Sequence, residues 1–223
     1  ISWSADNLLD GVPGELEESQ AEYIRSIKSS AGHLTRMVSI LLEISHLERG
    51  ENKLELEQVD LAGVLERAIG VMDSLANEKK VRLTLHPSGE IAPVRANADK
   101  LMEVAINLFD NAIKYTPSRS EVNIEVGMME AGRPGFSVRD RGPGLGSIDA
   151  DTLFGRFKQG APSPHSRKHG FGLGLHIVKS YMELMQGEVR ACDHHESGAV
   201  FTCLLSMHDP GGDVTGLETE EDR

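Results

Sequence analysis

Apolar residues between Glu15 and Arg49 recur at three- and four-residue steps, at Tyr23, Ile27, Leu34, Met37, Leu41, Ile44 and Leu47. That spacing draws a narrow stripe close to a heptad repeat and predicts one long helix, closed by Gly50. A helix of about 35 residues spans ~50 Å and needs something to pack on. Residues 1–10 read as the end of an earlier helix, stopped by the turn Gly11-Val12-Pro13-Gly14. This stub is too short to cover the stripe. The pattern therefore predicts a helical hairpin that pairs with a second copy into a four-helix bundle.

The texture changes after a charged link over 51–58. Asp60 is placed to cap a helix running to about Lys79. Helical periodicity returns at 99–115 and 173–185, and strand-like runs fall at 81–85, 122–126, 136–140, 188–192 and 199–205. There is no internal repeat. The pattern predicts a mixed α/β unit, its sheet covered on one face by helices. Residues 208–223 are polar, acidic and aperiodic, as expected of a solvated tail. The expected division is thus 1–57, 58–207 and 208–223.

Composition narrows the class. Hydrophobic residues make up 39% of the 223, which is normal for a globular chain long enough to bury a core and excludes wholesale disorder. The net charge of -12 repels nucleic acid and anionic membranes unless cations cluster, and along the chain they do not cluster strongly. The two cysteines, Cys192 and Cys203, lie in strand-like stretches and are expected to be buried free thiols of a reducing compartment. No apolar run approaches the ~18 residues that span a bilayer. The chain opens without an initiator Met or a leader pattern, so Ile1 is expected to lie within a longer protein, and the segment is expected to be cytoplasmic, either on its own or as the cytoplasmic part of a membrane-bound protein.

Three segments carry candidate chemistry. On the helix 99–115, Leu101, Ala105, Leu108, Phe109, Ala112 and Ile113 share one arc, while Asn107, Asn111 and Lys114 line another, with Asp110 beside them and Tyr115 at the edge. Two amides and an ammonium in a row suit a magnesium ion and phosphate oxygens; the same stripe also suits an ordinary wet helix face. In Phe136-Ser137-Val138-Arg139-Asp140, strand alternation puts Asp140 on the inner face with Phe136 and Val138. An ionised carboxylate there needs a donor, which the exocyclic amine of a base would supply; a turn-starting Asp before Gly142-Pro143-Gly144 is the plainer reading. Gly170-Phe171-Gly172-Leu173-Gly174-Leu175 leads into a helix and offers free N–H groups to an anion, a weak signal alone. Between these, residues 149–168 have the composition of a lid. Phe154 and Phe157 are placed to pin one end, and Arg156, Lys158, Arg167 and Lys168 are positioned to reach phosphates or simply to be solvated.

Taken in order and spacing, 107–116, 140–145, 154–157 and 170–175 resemble the N, G1, F and G2 boxes of sensor histidine kinases, over roughly residues 1–205. The resemblance implies, for 58–207, an α+β two-layer sandwich of the Bergerat type, with three helices on a mixed sheet and ATP between the second helix and the lid. It implies Asn111 as the magnesium ligand, Asn107 beside the phosphates, Lys114 on a phosphate, Tyr115 along the nucleotide and Asp140 accepting from the adenine amine. Gly142, Gly144 and Leu145 then border the base, and Gly170, Gly172, Leu173, Gly174 and Leu175 shape the lid's hinge, with Arg156 and Lys158 on the lid. Related ATPases carry a glutamate base where Asn107 stands. An amide has no useful basicity, so the site looks built to hold ATP for another nucleophile. The implied activity is protein-histidine kinase, passing phosphate to an aspartate of a response regulator.

The family's acceptor motif, H-[E/D]-x-x-x-P, does not occur here. Ile1 is expected about ten residues beyond it, ~15 Å along the helix. His46 in Ser45-His46-Leu47-Glu48-Arg49 transposes the motif and lacks its proline, and His33 lacks it altogether; both are expected to be structural. His165 and His169 offer no third metal ligand, and His194 and His195 are expected in a hairpin turn. A nucleotide-binding dimerisation module without catalysis, or a superfamily ATPase or serine kinase, are the alternatives.

Overall fold

A computed structural model describes residues 1–14, 16–48, 54–89, 91–146, 150–155, 172–195 and 197–207. The chain divides into two compact units, Ile1–Asn52 and Lys53–Arg223. The first is a helical hairpin, α1 (Ser2–Leu9) and α2 (Glu18–Glu48). The α1 helix buries Ala5, and Lys28 of α2 pairs with Asp6 of α1. Tyr23, Ile27 and Leu34 of the predicted stripe are exposed in the single chain, at 73%, 51% and 59%, as is neighbouring Val38. Among the described residues no helix is long and apolar enough to cross a membrane.

The second unit begins with a strand the pattern does not predict, β1 (Glu57–Val59), overlapping the end of the stretch read as a charged link. Helix α3 (Leu61–Lys79) follows, then β2 (Arg82–Ser88), β3 (Val94–Ala96), α4 (Ala98–Tyr115) and β4 (Glu121–Met128). After these come β5 (Pro134–Arg139), a short helix α5 (Ala150–Leu153), α6 (Gly174–Leu184), β6 (Glu188–Asp193), β7 (Ala199–Leu204) and β8 (Ser206–Met207). Five strands form a sheet in the order β2-β4-β5-β7-β6; β2 and β4 are parallel and the other neighbours antiparallel. The short strands β1, β3 and β8 form a separate antiparallel sheet. Each is two or three residues long, too short for alternation to register against turn and loop.

The register explains the core. Leu85 pairs with Ile124, Ile124 with Val138, Val138 with Phe201 and Phe201 with Ala191. This row runs across the sheet on one face, because every second residue of a strand points the same way. Helices α3, α4 and α6 cover that face, with α4 between the other two. The buried side of α4 is Leu101, Val104, Ala105, Leu108, Phe109, Ala112 and Ile113, the arc the periodicity predicts plus Val104. Full burial of each large apolar side chain is worth ~1.5–3 kcal/mol, so this face is what fixes α4 on the sheet. Asn97 caps the helix by accepting from Lys100 N at 3.1 Å, and its amide donates to Glu55 O at 3.2 Å. Asp60 stands at the N-cap of α3 as expected, in extended conformation, but its side chain makes no capping hydrogen bond.

One expectation fails. Cys203 is buried on β7, where burial pushes its thiol well above the usual range, but Cys192 is exposed. Cys192 lies on β6, the edge strand, opposite Val200 and on the alternate face from Ala191. The helices cover only the face that Ala191 shares with Phe201.

Candidate functional site

The site is built where the C-terminal ends of α4 and β5 meet the β6–β7 hairpin. Strand β5 is central, and its even residues Phe136 and Val138 are fully buried. Asp140 follows them in phase and is 4% exposed. Its Oδ1 accepts from Gly142 N at 2.7 Å and from Ala199 N at 3.1 Å. The second carboxylate oxygen takes no hydrogen bond among the described residues. Burial raises the Asp140 pKa above the usual carboxylate value; the two backbone N–H groups pull it down, and the Asp193 carboxylate adds to the rise. A carboxylate so placed, with its second oxygen unbonded among the described residues, can accept one further donor.

Two glycines make this geometry possible. At Gly198 (φ +88°) an added Cβ would lie 2.1 Å from Asp140 O. No side chain fits there, so only glycine lets the hairpin close on Asp140. At Gly144 (φ +80°) a Cβ would lie 2.5 Å from Asp193 Oδ1, and the Leu145 N–H donates to that same carboxylate. The loop after β5 is thereby tied to the end of β6. Gly142 packs against α4, where a Cβ would stand 3.0 Å from Tyr115 O and 3.1 Å from Tyr115 Cβ. The Arg141 N–H donates to Thr116 Oγ1 at 3.3 Å, and Thr116 is fully buried.

The polar stripe of α4 emerges as expected. Asn107, Asn111, Lys114 and Tyr115 are all partly exposed. Asn107 Nδ2 donates to Glu103 O at 2.8 Å, and a Cβ on Gly174 would lie 3.0 Å from Asn107 Oδ1. The stripe of α4 thus faces the start of α6, where Gly172 and buried Leu173 lead into Gly174 and Leu175. Asn111 takes no hydrogen bond among the described residues. Lys114 pairs with Asp110 one turn back. His176 of α6 meets Phe154 O at 3.1 Å, and Phe154 is 5% exposed, so the first aromatic of the lid segment is pinned as expected. Arg156, Phe157, Lys158, His165, Arg167, Lys168, His169 and Gly170 lie outside the described residues.

Three residues at this site escape sequence reasoning. Gly198 and Asp193 act only through long-range closure of a hairpin onto Asp140, and the Ser197-Gly198 pair signals a turn without saying what it closes on. Lys79, the last residue of α3, donates to the carbonyls of Ile113 and Lys114. Those are two of the orphan acceptors at the end of α4, and Thr116 N–H supplies a third partner, to Ala112 O at 3.0 Å. Desolvation lowers the Lys79 pKa, Asp110 raises it and Lys114 lowers it again. His194 and His195 lie in the β6–β7 connection, as expected, with rings 4.1 Å apart.

Comparison with known proteins agrees with this geometry. Residues 96–209 match the model of the family described as histidine kinase-, DNA gyrase B-, and HSP90-like ATPase. The circadian input-output histidine kinase CikA of Synechococcus elongatus is 30% identical over 203 residues, 90% of this chain and 27% of CikA. Full-length ShkA in complex with AMPPNP superposes with a TM-score of 0.72 at 26% identity, over 93% of this chain and 45% of ShkA. Histidine kinase ThkA, crystallised with response regulator protein TrrA, shares the fold with a TM-score of 0.66 at 20% identity, over 92% of this chain and 58% of ThkA. The chain thus spans only about a quarter of CikA and under half of ShkA. The chain belongs to the histidine kinase-, DNA gyrase B- and HSP90-like ATPase family, and its catalytic domain is homologous to those of sensor histidine kinases.

Proposed function

We propose that this domain binds magnesium-ATP and positions the γ-phosphoryl group for transfer to a histidine on a helical hairpin, from which it passes to an aspartate of a response regulator. The observation that carries this reading is the buried Asp140 carboxylate, gripped through Oδ1 by two backbone N–H groups and open at its second oxygen. That oxygen accepts from the adenine amine. Gly142, Gly144 and Leu145 let the base approach, and Tyr115 borders it. Asn107, Lys114 and the start of α6, Gly172 to Leu175, attend the phosphates, with Gly170, Arg156 and Lys158 on the lid side.

Asn111 suits magnesium. Its amide has no competing hydrogen bond among the described residues, and an amide carbonyl is a hard oxygen ligand. When bound, the ion supplies neutralisation of the charge on the β- and γ-oxygens. The chain's residues orient the nucleotide; Asn107 has no basicity with which to activate water. The exposed stripe of α2 pairs with a second copy, and the domain works in the cytoplasm.

Incubating the chain with γ-labelled ATP, magnesium and a separate histidine-bearing hairpin tests this. Label is expected on the hairpin, stable to base and lost in acid. Steady release of inorganic phosphate without labelled hairpin would make the chain an ATPase instead. Saturable nucleotide binding with neither outcome would make it a non-catalytic module.

A further inference from the structure

Along the sequence the cations are scattered, yet the fold gathers four of them. A cleft of 660 Å³ opens between one face of α3 and the first residues of β2 and β4. Lys80, Arg82, Arg119 and Arg141 line it, against only Asp73 and Glu121. Both acids are engaged: Asp73 accepts from Asn77 Nδ2 at 2.9 Å, and Glu121 accepts from Thr84 Oγ1. The four cations are exposed, and among the described residues none has a side-chain hydrogen bond or ion pair. On a chain of net charge -12 this is a local field of opposite sign.

The walls are preformed. Arg119 N–H donates to Lys80 O at 2.7 Å, and Arg82 N–H to Ser120 O at 3.0 Å. Lys80 and Arg119 both hold left-handed backbone, at φ 59° and 64°, where glycine is the unstrained choice. The floor is apolar, with Ala76 and Val81 buried and Ile69 and Leu83 half-buried.

We propose that this cleft docks an extended acidic segment of a protein partner, in which carboxylates alternate with aliphatic side chains. The cations come from three separate chain segments, at Lys80 and Arg82, at Arg119 and at Arg141, and line the cleft together with an apolar floor. A compact phosphate would leave the apolar floor of this 660 Å³ cleft unused, whereas a peptide offers aliphatic groups to the floor and carboxylates to the cations. In an extended peptide successive side chains point to opposite sides, so one set lies on the floor while the other meets the rim. Exposed charges of this kind set association rate and partner choice, and their effect falls with salt.

The test is fluorescence anisotropy of a labelled octapeptide of alternating Glu and Leu with the full chain at low and at raised salt. Arg82→Glu with Arg119→Glu is expected to weaken binding at least tenfold. Arg82→Gln with Arg119→Gln, which spares the fold a charge reversal, is expected to weaken it by a smaller factor. Arg190→Glu, on β6 and ion-paired with Glu188 and Glu130, is expected to leave it unchanged. Nucleotide affinity is expected to be the same in all four proteins. The proposal is overturned if the wild-type chain does not bind the peptide, or if both double variants bind it as well as wild type. It is equally overturned if a single-stranded oligonucleotide of equal charge displaces the peptide at equal concentration, since the cleft would then recognise polyanions generally.

Discussion

At the scale of single residues the site depends on how Asp140 is held. Its folded pKa is raised by burial, so the native state holds the proton more tightly than the unfolded chain does. The stability this gives is fully present below the unfolded value of about 3.8 and is lost as pH rises through the folded value. Asp140→Asn keeps an oxygen for Gly142 N and Ala199 N but has no charge to desolvate. Its melting temperature relative to wild type is expected to rise between pH 4 and pH 7, measured by circular dichroism. A flat difference over that range would show that the carboxylate is not strained by burial. Gly198→Ala, by contrast, drives a methyl into Asp140 O and is expected to cost on the order of 2–3 kcal/mol in urea unfolding and to abolish nucleotide binding. The two cysteines give a further check. One thiol per chain, Cys192, is expected to react with a thiol reagent in the native state, and Cys203 only after denaturation.

At the scale of elements, legibility follows length and period. Helix α4 was readable because seven buried positions recur over five turns, and the same stripe logic set Asn107, Asn111 and Lys114 apart from them. Strand β5 was readable to the point of placing Asp140, since alternation carries Val138 inward and Asp140 with it. Strands β1, β3 and β8 were not, because two or three residues hold no period. The exposure of Cys192 was hidden for another reason: strand alternation assigns faces, but only the fold says that β6 is an edge and which face the helices cover. Lys79 was invisible because its partners lie 34 and 35 residues away. Its substitution by Met leaves the carbonyls of Ile113 and Lys114 without a donor at the turn that carries Lys114 and Tyr115. A loss of about 1 kcal/mol in urea unfolding is expected, together with weaker nucleotide binding; Lys79→Arg is expected to restore both in large part.

At the scale of the whole molecule, the two compact units differ in what they expose. The hairpin exposes Tyr23, Ile27, Leu34 and Val38, more apolar surface along one helix than a monomer usually leaves in water. Ile27→Asp with Leu34→Asp is expected to turn a dimer into a monomer in sedimentation analysis while leaving nucleotide affinity within about twofold, because the substituted residues belong to the other compact unit. The second unit holds the nucleotide chemistry. There, motif order made the N, G1, F and G2 segments readable from sequence, while the closure of the β6–β7 hairpin through Gly198 and Asp193 required the fold.

The most direct test of the central claim is calorimetric titration of magnesium-AMPPNP into wild type and Asp140→Asn. The substitution leaves an acceptor for the two backbone N–H groups and replaces the free oxygen by an NH₂ donor, which would meet the adenine amine donor to donor. Saturable binding by wild type and a loss of roughly 100-fold in the variant, with its fold intact, is the expected result. Equal affinity in the two proteins would contradict the account.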